Sequence, residues 1–147
     1  AKSDAKRVGI VNILFNIGKT VFVNALSAND TESTLKIVSE GAALLPEKSE
    51  KILIINNRGD RPARAMAMCE LAEKWSPDEI YLTGDSLPAL KRWLFKHLPG
   101  TPVTIYNNVS DIPLNADRQS LILAAGNIKG PGITLTEITR NLAKEGK

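Results

Sequence analysis

Short, β-branched apolar runs alternate along this chain with segments whose apolar residues recur at helical spacing, and that alternation constrains the fold more than any other feature. Such a pattern folds as a mostly parallel sheet covered by helices, because each helix returns the chain to the same end of the sheet. Val8–Leu14 and Thr20–Leu26 read as strands. The link through Asn16, Ile17 and Gly18 is too short for a crossover, so the chain is expected to open with an antiparallel hairpin.

Beyond the hairpin the units repeat. Asp30 or Thr31 caps a helix with Leu35, Val38, Ala42 and Leu45 on one face, and Pro46 ends it. Lys51–Asn57 is a continuous apolar run of the kind buried on both faces. Asp60 and Pro62 suit the start of the next helix, whose inner side is Ala65, Met68, Ala72 and Trp75. Glu79–Asp85 is a strand, and Asp85 or Ser86 caps a helix facing inward through Leu87, Leu90, Leu94 and Leu98, stopped by Pro99-Gly100. Pro102–Asn108 is another strand, Val109–Arg118 is irregular with at most one helical turn, and Ser120–Gly126 is the last buried strand. A glycine-rich loop then leads into a helix with Leu135, Ile138 and Leu142 inward. The fold class is α/β: a Rossmann-like, mostly parallel sheet with an N-terminal antiparallel hairpin and helices on both faces, residues 1–147 forming one domain.

Composition excludes several classes. A net charge of +3, with Lys and Arg spread among acids, offers no nucleic-acid tail and no polybasic anchor. The one cysteine, Cys69, permits no internal disulfide, and its place in a helical apolar pattern marks a buried structural thiol. No apolar run approaches the roughly 20 residues needed to span a bilayer. His97 has no partner at metal-ligand spacing and sits where a cation complements a helix end. The chain begins without methionine and is entering a strand by Val8, which leads us to expect a piece of a longer protein.

Gly18-Lys19-Thr20 has the ending of a phosphate-binding P-loop, but position 13 is isoleucine where that motif needs glycine, and a strand follows where it needs a helix. In a parallel sheet, ligands bind where strand carboxyl ends meet helix N-termini. Four polar loops are predicted at that rim: Asn24–Asp30, Asn56–Arg61 with Arg64 beyond it, Thr83–Asp85, and Gly126–Gly130. Each has a plain structural use. Asn29, Asp30 and Asp85 suit helix caps, Arg58, Arg61 and Arg64 a solvated face, and Asn127 with its glycines a turn. Read from residues alone, the rim is friendly to anions and no complete catalytic constellation is present.

Phe22–Thr34 (FVNALSANDTEST) resembles a segment of the ligase subunits of poly-γ-glutamate synthases, which belong to the Mur ligase superfamily. Leu53–Ala72 resembles the same family's asparagine-arginine-aspartate-arginine turn and helix, Glu79–Asp85 its next strand, and Leu123–Gly132 its glycine-asparagine-isoleucine loop. Thr31 stands where the family usually has proline, and Leu26 and Ser27 replace an aromatic and an alanine.

The resemblance implies the C-terminal domain of an ATP-dependent amide ligase. Such enzymes phosphorylate a carboxylate with ATP, and an amine displaces the acyl phosphate; in this branch glutamate is joined through its γ-carboxyl. It further implies that a central domain outside this chain supplies the P-loop and most of the contacts to ATP and Mg2+. By the same resemblance Asn24, Asn29 and Asp30 would touch nucleotide phosphate or ribose. Arg58 and Arg61 would hold glutamate carboxylates, Asp60 would orient those arginines or cap the helix, Asp85 would meet the incoming amino group, and Asn127 would line the same cleft. The partners implied are glutamate, the poly-γ-glutamate chain, ATP, the central ligase domain and membrane subunits of a synthase, with no nucleic acid. The location implied is cytoplasmic, at most peripherally attached to the inner face of the plasma membrane, and the fragment alone is expected to be inactive. The competing reading is a non-catalytic Rossmann-like module that binds a nucleotide or a protein.

Overall fold

The computed structural model describes residues 14–26, 31–46, 48–59, 62–114, 117–126 and 130–145. In chain order the elements are β1 (Leu14–Ile17), β2 (Thr20–Ala25), α1 (Thr31–Ala42), β3 (Glu50–Asn57), α2 (Pro62–Trp75), β4 (Glu79–Gly84), α3 (Leu87–His97), β5 (Val103–Ile105), a 3-10 turn (Val109–Asp111), β6 (Ser120–Gly126) and α4 (Pro131–Glu145). The strands form one six-stranded sheet in the order β1-β2-β6-β3-β4-β5. Among the described residues only the β1–β2 pair is antiparallel.

The continuous apolar runs are explained by two cores. Alternate strand residues face opposite sides of a sheet. Val23, Leu53, Ile55, Leu82 and Leu123 pack with Val38 of α1, Leu71 of α2 and Leu94 of α3. Phe22, Ile54, Tyr81 and Ile122 pack on the other side with Leu135 of α4 and with Val109 and Ile112 around the 3-10 turn. Helices therefore cover both faces, and β6, buried along its whole length, is the sheet's centre. Leu53 and Leu123 have no exposed surface, so truncating either to alanine costs about 2–5 kcal/mol.

The amino ends of the strands are held by polar contacts. The Thr20 hydroxyl donates to the Arg118 carbonyl at 2.8 Å and lies 3.1 Å from the Ser120 hydroxyl, and Arg118 pairs with Glu50. Thr20 of the Gly18-Lys19-Thr20 triplet is thus a buried strand residue, as the sequence predicts for a hairpin and not a P-loop.

Several expectations are corrected in detail. The hairpin turn is Gly18-Lys19, with Ile17 paired to Thr20. Gly18 has φ 60, the sign that the first position of a tight hairpin turn requires, and Ile17 stays buried. Residues 8–13 of the predicted first strand lie outside the described residues. In α1 the buried face is Thr34, Val38 and Gly41; Ala42, expected inside, is exposed. Ser86 is the N-cap residue of α3 but has φ 55 and makes no side-chain capping bond. β5 is cut to three residues because Pro102 has no N–H and Asn108 instead accepts from the Ser110 N–H at 3.0 Å, starting the 3-10 turn. In α4 Thr139 is fully buried, its hydroxyl satisfied by the Leu135 and Thr136 carbonyls at 3.0 Å each.

Candidate functional site

The parallel register brings the carboxyl ends of the strands to one rim. Ala25 of β2 lies beside Ala125 of β6, Asn56 of β3 beside Gly126 of β6, and Asn57 beside Gly84 of β4. The strands leading into Asn29, Arg61 and Asn127 therefore end side by side. Asn29, Asp30, Asp60, Arg61 and Asn127 themselves lie outside the described residues. β2 and β3 feed helices on one face while β6, between them, feeds α4 on the other. A reversal of this kind leaves a crevice at the strand ends, the place where open α/β sheets bind ligands.

On the α4 face the rim carries Asn24, Asn56 and Thr83, all buried. The Asn24 amide donates to the Thr136 hydroxyl at 2.8 Å, and its carbonyl accepts from the Leu26 N–H at 3.1 Å. Thr136 in turn donates to the Gly132 carbonyl at 2.8 Å. These bonds tie the exit of β2 to the first turns of α4. The Thr83 hydroxyl is buried without a hydrogen-bond partner among the described residues.

Across β3 the packing is tighter still. Gly84 and Gly126 have φ 101 and φ 109, and a Cβ on them would stand 2.2 Å from the Asn57 carbonyl oxygen and 2.3 Å from that of Asn56. The Asn57 side-chain amide donates to the Asp85 carbonyl at 2.8 Å, and the Asp85 N–H returns a bond to the Asn57 carbonyl at 2.9 Å. Asp85 joins the rim through its backbone, and its side chain is exposed.

On the opposite face, Arg58 and Ser86 line a cleft of about 270 Å³ together with Asn57, Met66, Cys69 and Trp93. Its floor is apolar and its rim is polar. Among the described residues the adjacent N-terminus of α3 has no side-chain cap, and a helix start carries the positive end of the helix dipole. Cys69 is buried in the core cluster, as expected of a structural thiol, and burial followed by the nearby Glu73 carboxylate pushes its thiol up to about 11, which favours the protonated form at neutral pH. His97 lies away from this rim, stacked on Trp93 at 3.7 Å, with its Nδ1 3.0 Å from the Trp93 carbonyl.

Sequence reasoning placed Arg64 by the rim without its acceptor, and it missed Thr136. The Arg64 guanidinium donates to the Gly126 carbonyl at 2.8 Å, reaching from α2 to the end of β6. Its spacing from Arg58 and Arg61 looks the same as that of a solvated helix face, and only the strand order reveals the acceptor. Thr136, the partner of Asn24, stands far along the chain with no local signal. Among the described residues no group of His, Cys, Asp and Glu is spaced to hold a metal ion, and no helix is long and apolar enough to cross a membrane.

The doubly wound sheet with an antiparallel hairpin at its edge has a fold similar to part of a Mur ligase. UDP-N-acetylmuramate-alanine ligase MurC from Thermotoga maritima superposes on it with a TM-score of 0.58 at 11% identity, over 87% of this chain and 27% of the ligase. This chain therefore spans about a quarter of the length of that enzyme, 27%. The model of the poly-gamma-glutamate synthase CapB C-terminal domain matches residues 10–142, and the chain belongs to that family. No curated protein matches it.

Proposed function

We propose that this domain works within an ATP-dependent amide ligase that joins glutamate through γ-carboxyl amide bonds by way of an acyl phosphate. The observation that carries the reading is the set of adjacent strand ends at the β2–β6–β3 crevice, in a chain of the CapB C-terminal family. In this reading the domain closes on nucleotide held mainly by another domain of the same enzyme, and that domain supplies the P-loop and the contacts to Mg2+. ATP, when bound, supplies the phosphoryl group that activates the carboxylate.

The roles assigned to this chain are binding and positioning. Arg58, at the mouth of the cleft between α2 and α3, and Arg61 hold glutamate carboxylates, since a guanidinium fork matches a carboxylate with two parallel bonds. The uncapped start of α3 adds favourable partial charge for the same anion. Asp85, with its side chain in solvent beside that cleft, meets the incoming ammonium. Asp60 orients the arginines, and Asn29, Asp30 and Asn127 contact nucleotide or substrate from the loops beyond the strand ends. Asn24 acts through the placement of α4, because its amide and carbonyl are engaged within the fold. Positioning and charge neutralisation of this kind account for much of the rate in acyl transfer. Cytoplasmic placement next to membrane subunits of a synthase belongs to the same proposal.

Arg61→Ala in the full-length enzyme is expected to reduce polymer synthesis strongly while the circular dichroism of the domain stays unchanged. Normal synthesis with a normal glutamate KM removes Arg61 from the site.

A further inference from the structure

At the far edge of the sheet from the β1–β2 hairpin lies a second groove, lined by Pro88, Lys91, Arg92 and Phe95 of α3 and by Ile105 of β5, with a volume of about 580 Å³. Three observations bear on what fills it. Phe95 is 69% exposed, more than any other large apolar side chain described. From Leu87 to Asn108 the chain carries Lys91, Arg92 and Lys96 and not one acid, and among the described residues no carboxylate lines the groove. Lastly, among the described residues β5 is the terminal strand of the sheet.

The free edge can be assigned atom by atom. The Ile80 N–H donates to the Pro102 carbonyl at 2.9 Å, and the Tyr106 N–H donates to the Leu82 carbonyl at 2.8 Å. In this parallel register, with Tyr81 opposite Thr104, Thr104 turns its amide and carbonyl to β4. Val103 and Ile105 must then turn theirs outward, since alternate residues of a strand address opposite neighbours.

We propose that this edge docks an extended acidic segment of a partner protein, which adds as a strand beside β5 and lays an apolar side chain against Phe95 and carboxylates against Lys91 and Arg92. Cations on the helix beside a short edge strand would by themselves repel basic strands. Cations beside an exposed aromatic ring select instead for strands that carry acids and an apolar anchor. A concave groove flanked by unpaired backbone groups suits a strand, whereas a bilayer surface satisfies neither the concavity nor the N–H groups. The groove flanks α3 on the side away from the Arg58 cleft, which α3 lines through Ala89, Leu90 and Trp93. Partner binding there leaves the rim open.

The test uses this chain, isotopically labelled, and a terminally blocked synthetic peptide in which threonine alternates with glutamate and leucine. Saturating peptide is expected to slow hydrogen exchange at the Val103 and Ile105 amides. The double variant Lys91→Glu/Arg92→Glu should weaken binding about tenfold or more, a peptide with lysine in place of glutamate should restore it, and Phe95→Ala should weaken both pairings. The proposal is overturned if exchange at those two amides is unchanged at saturation, or if the charge-reversed chain binds the acidic peptide as tightly as the original. It is equally overturned if the chain sediments with phosphatidylglycerol vesicles in a Phe95-dependent manner and ignores the peptide.

Discussion

Two residues show how narrowly this end of the molecule is built. Gly126 ends β6 at φ 109, and a methyl group there would meet the Asn56 carbonyl oxygen at 2.3 Å. Neither the angle nor the contact can relax without parting β6 from β3. Gly126→Ala is expected to lower unfolding stability by about 2–4 kcal/mol, the sum of left-handed strain and a backbone clash. Urea titration measures this, and a loss under about 0.5 kcal/mol would mean that the strands yield there at no cost. Cys69 gives a signature in pH. Its thiol is held near 11 in the fold, against 9.0 for the free group, so the unfolded chain loses the proton first. Below pH 9 both states are protonated and the thiol adds no pH dependence; between pH 9 and pH 11 the native state is progressively disfavoured. Stability should therefore fall more steeply over that window in the wild type than in Cys69→Ala. Parallel curves for the two would show that the thiolate is solvated in the native state.

At the level of elements, periodicity made the strands and helices legible because the central strands β2, β6, β3 and β4 are buried on both faces while the helices bury one. Ser120–Gly126 and Lys51–Asn57 sit within one residue of their predicted bounds for that reason. What depended on partners distant in the chain was illegible. The inner face of α1 turned to Thr34 and Gly41 because small residues let the helix approach the sheet, a packing fact that hydrophobicity does not encode. The rim was legible as a set of polar loops, but the order that places β6 between β2 and β3 came only with the structure. Asn24 illustrates the consequence. The sequence offers it as a nucleotide contact, and the structure bonds it to Thr136 of α4. A double-mutant cycle of Asn24→Ala and Thr136→Val is expected to give a coupling of about 1 kcal/mol in stability. Coupling near zero, together with a raised ATP KM for Asn24→Ala in the full-length ligase, would return Asn24 to the nucleotide.

At the scale of the whole molecule, the proposed function gives this chain one part of a reaction centre. Its rim carries Arg58, a helix start without a side-chain cap, and Arg64, which donates to the Gly126 carbonyl, yet Thr20 of the triplet that looks like a phosphate loop is buried at the opposite end of the sheet. Electrostatics of that kind can hold a carboxylate. Phosphoryl transfer also needs a cradle for the β- and γ-phosphates and a cation to neutralise the charge that develops on them. The proposed division of labour is that this domain orients glutamate while activation by ATP depends on the remainder of the enzyme. The isolated chain, given ATP, Mg2+ and glutamate, is accordingly expected to release no phosphate above the blank. In the full-length ligase, Arg58→Ala should raise the glutamate KM by about 10–100-fold, the worth of a charge-assisted pair, and leave the ATP KM where it was. The two measurements separate the alternatives. Phosphate release by the isolated chain would place the cradle within it, and an Arg58 effect shared equally between glutamate and ATP would make that guanidinium a nucleotide contact instead of a substrate one.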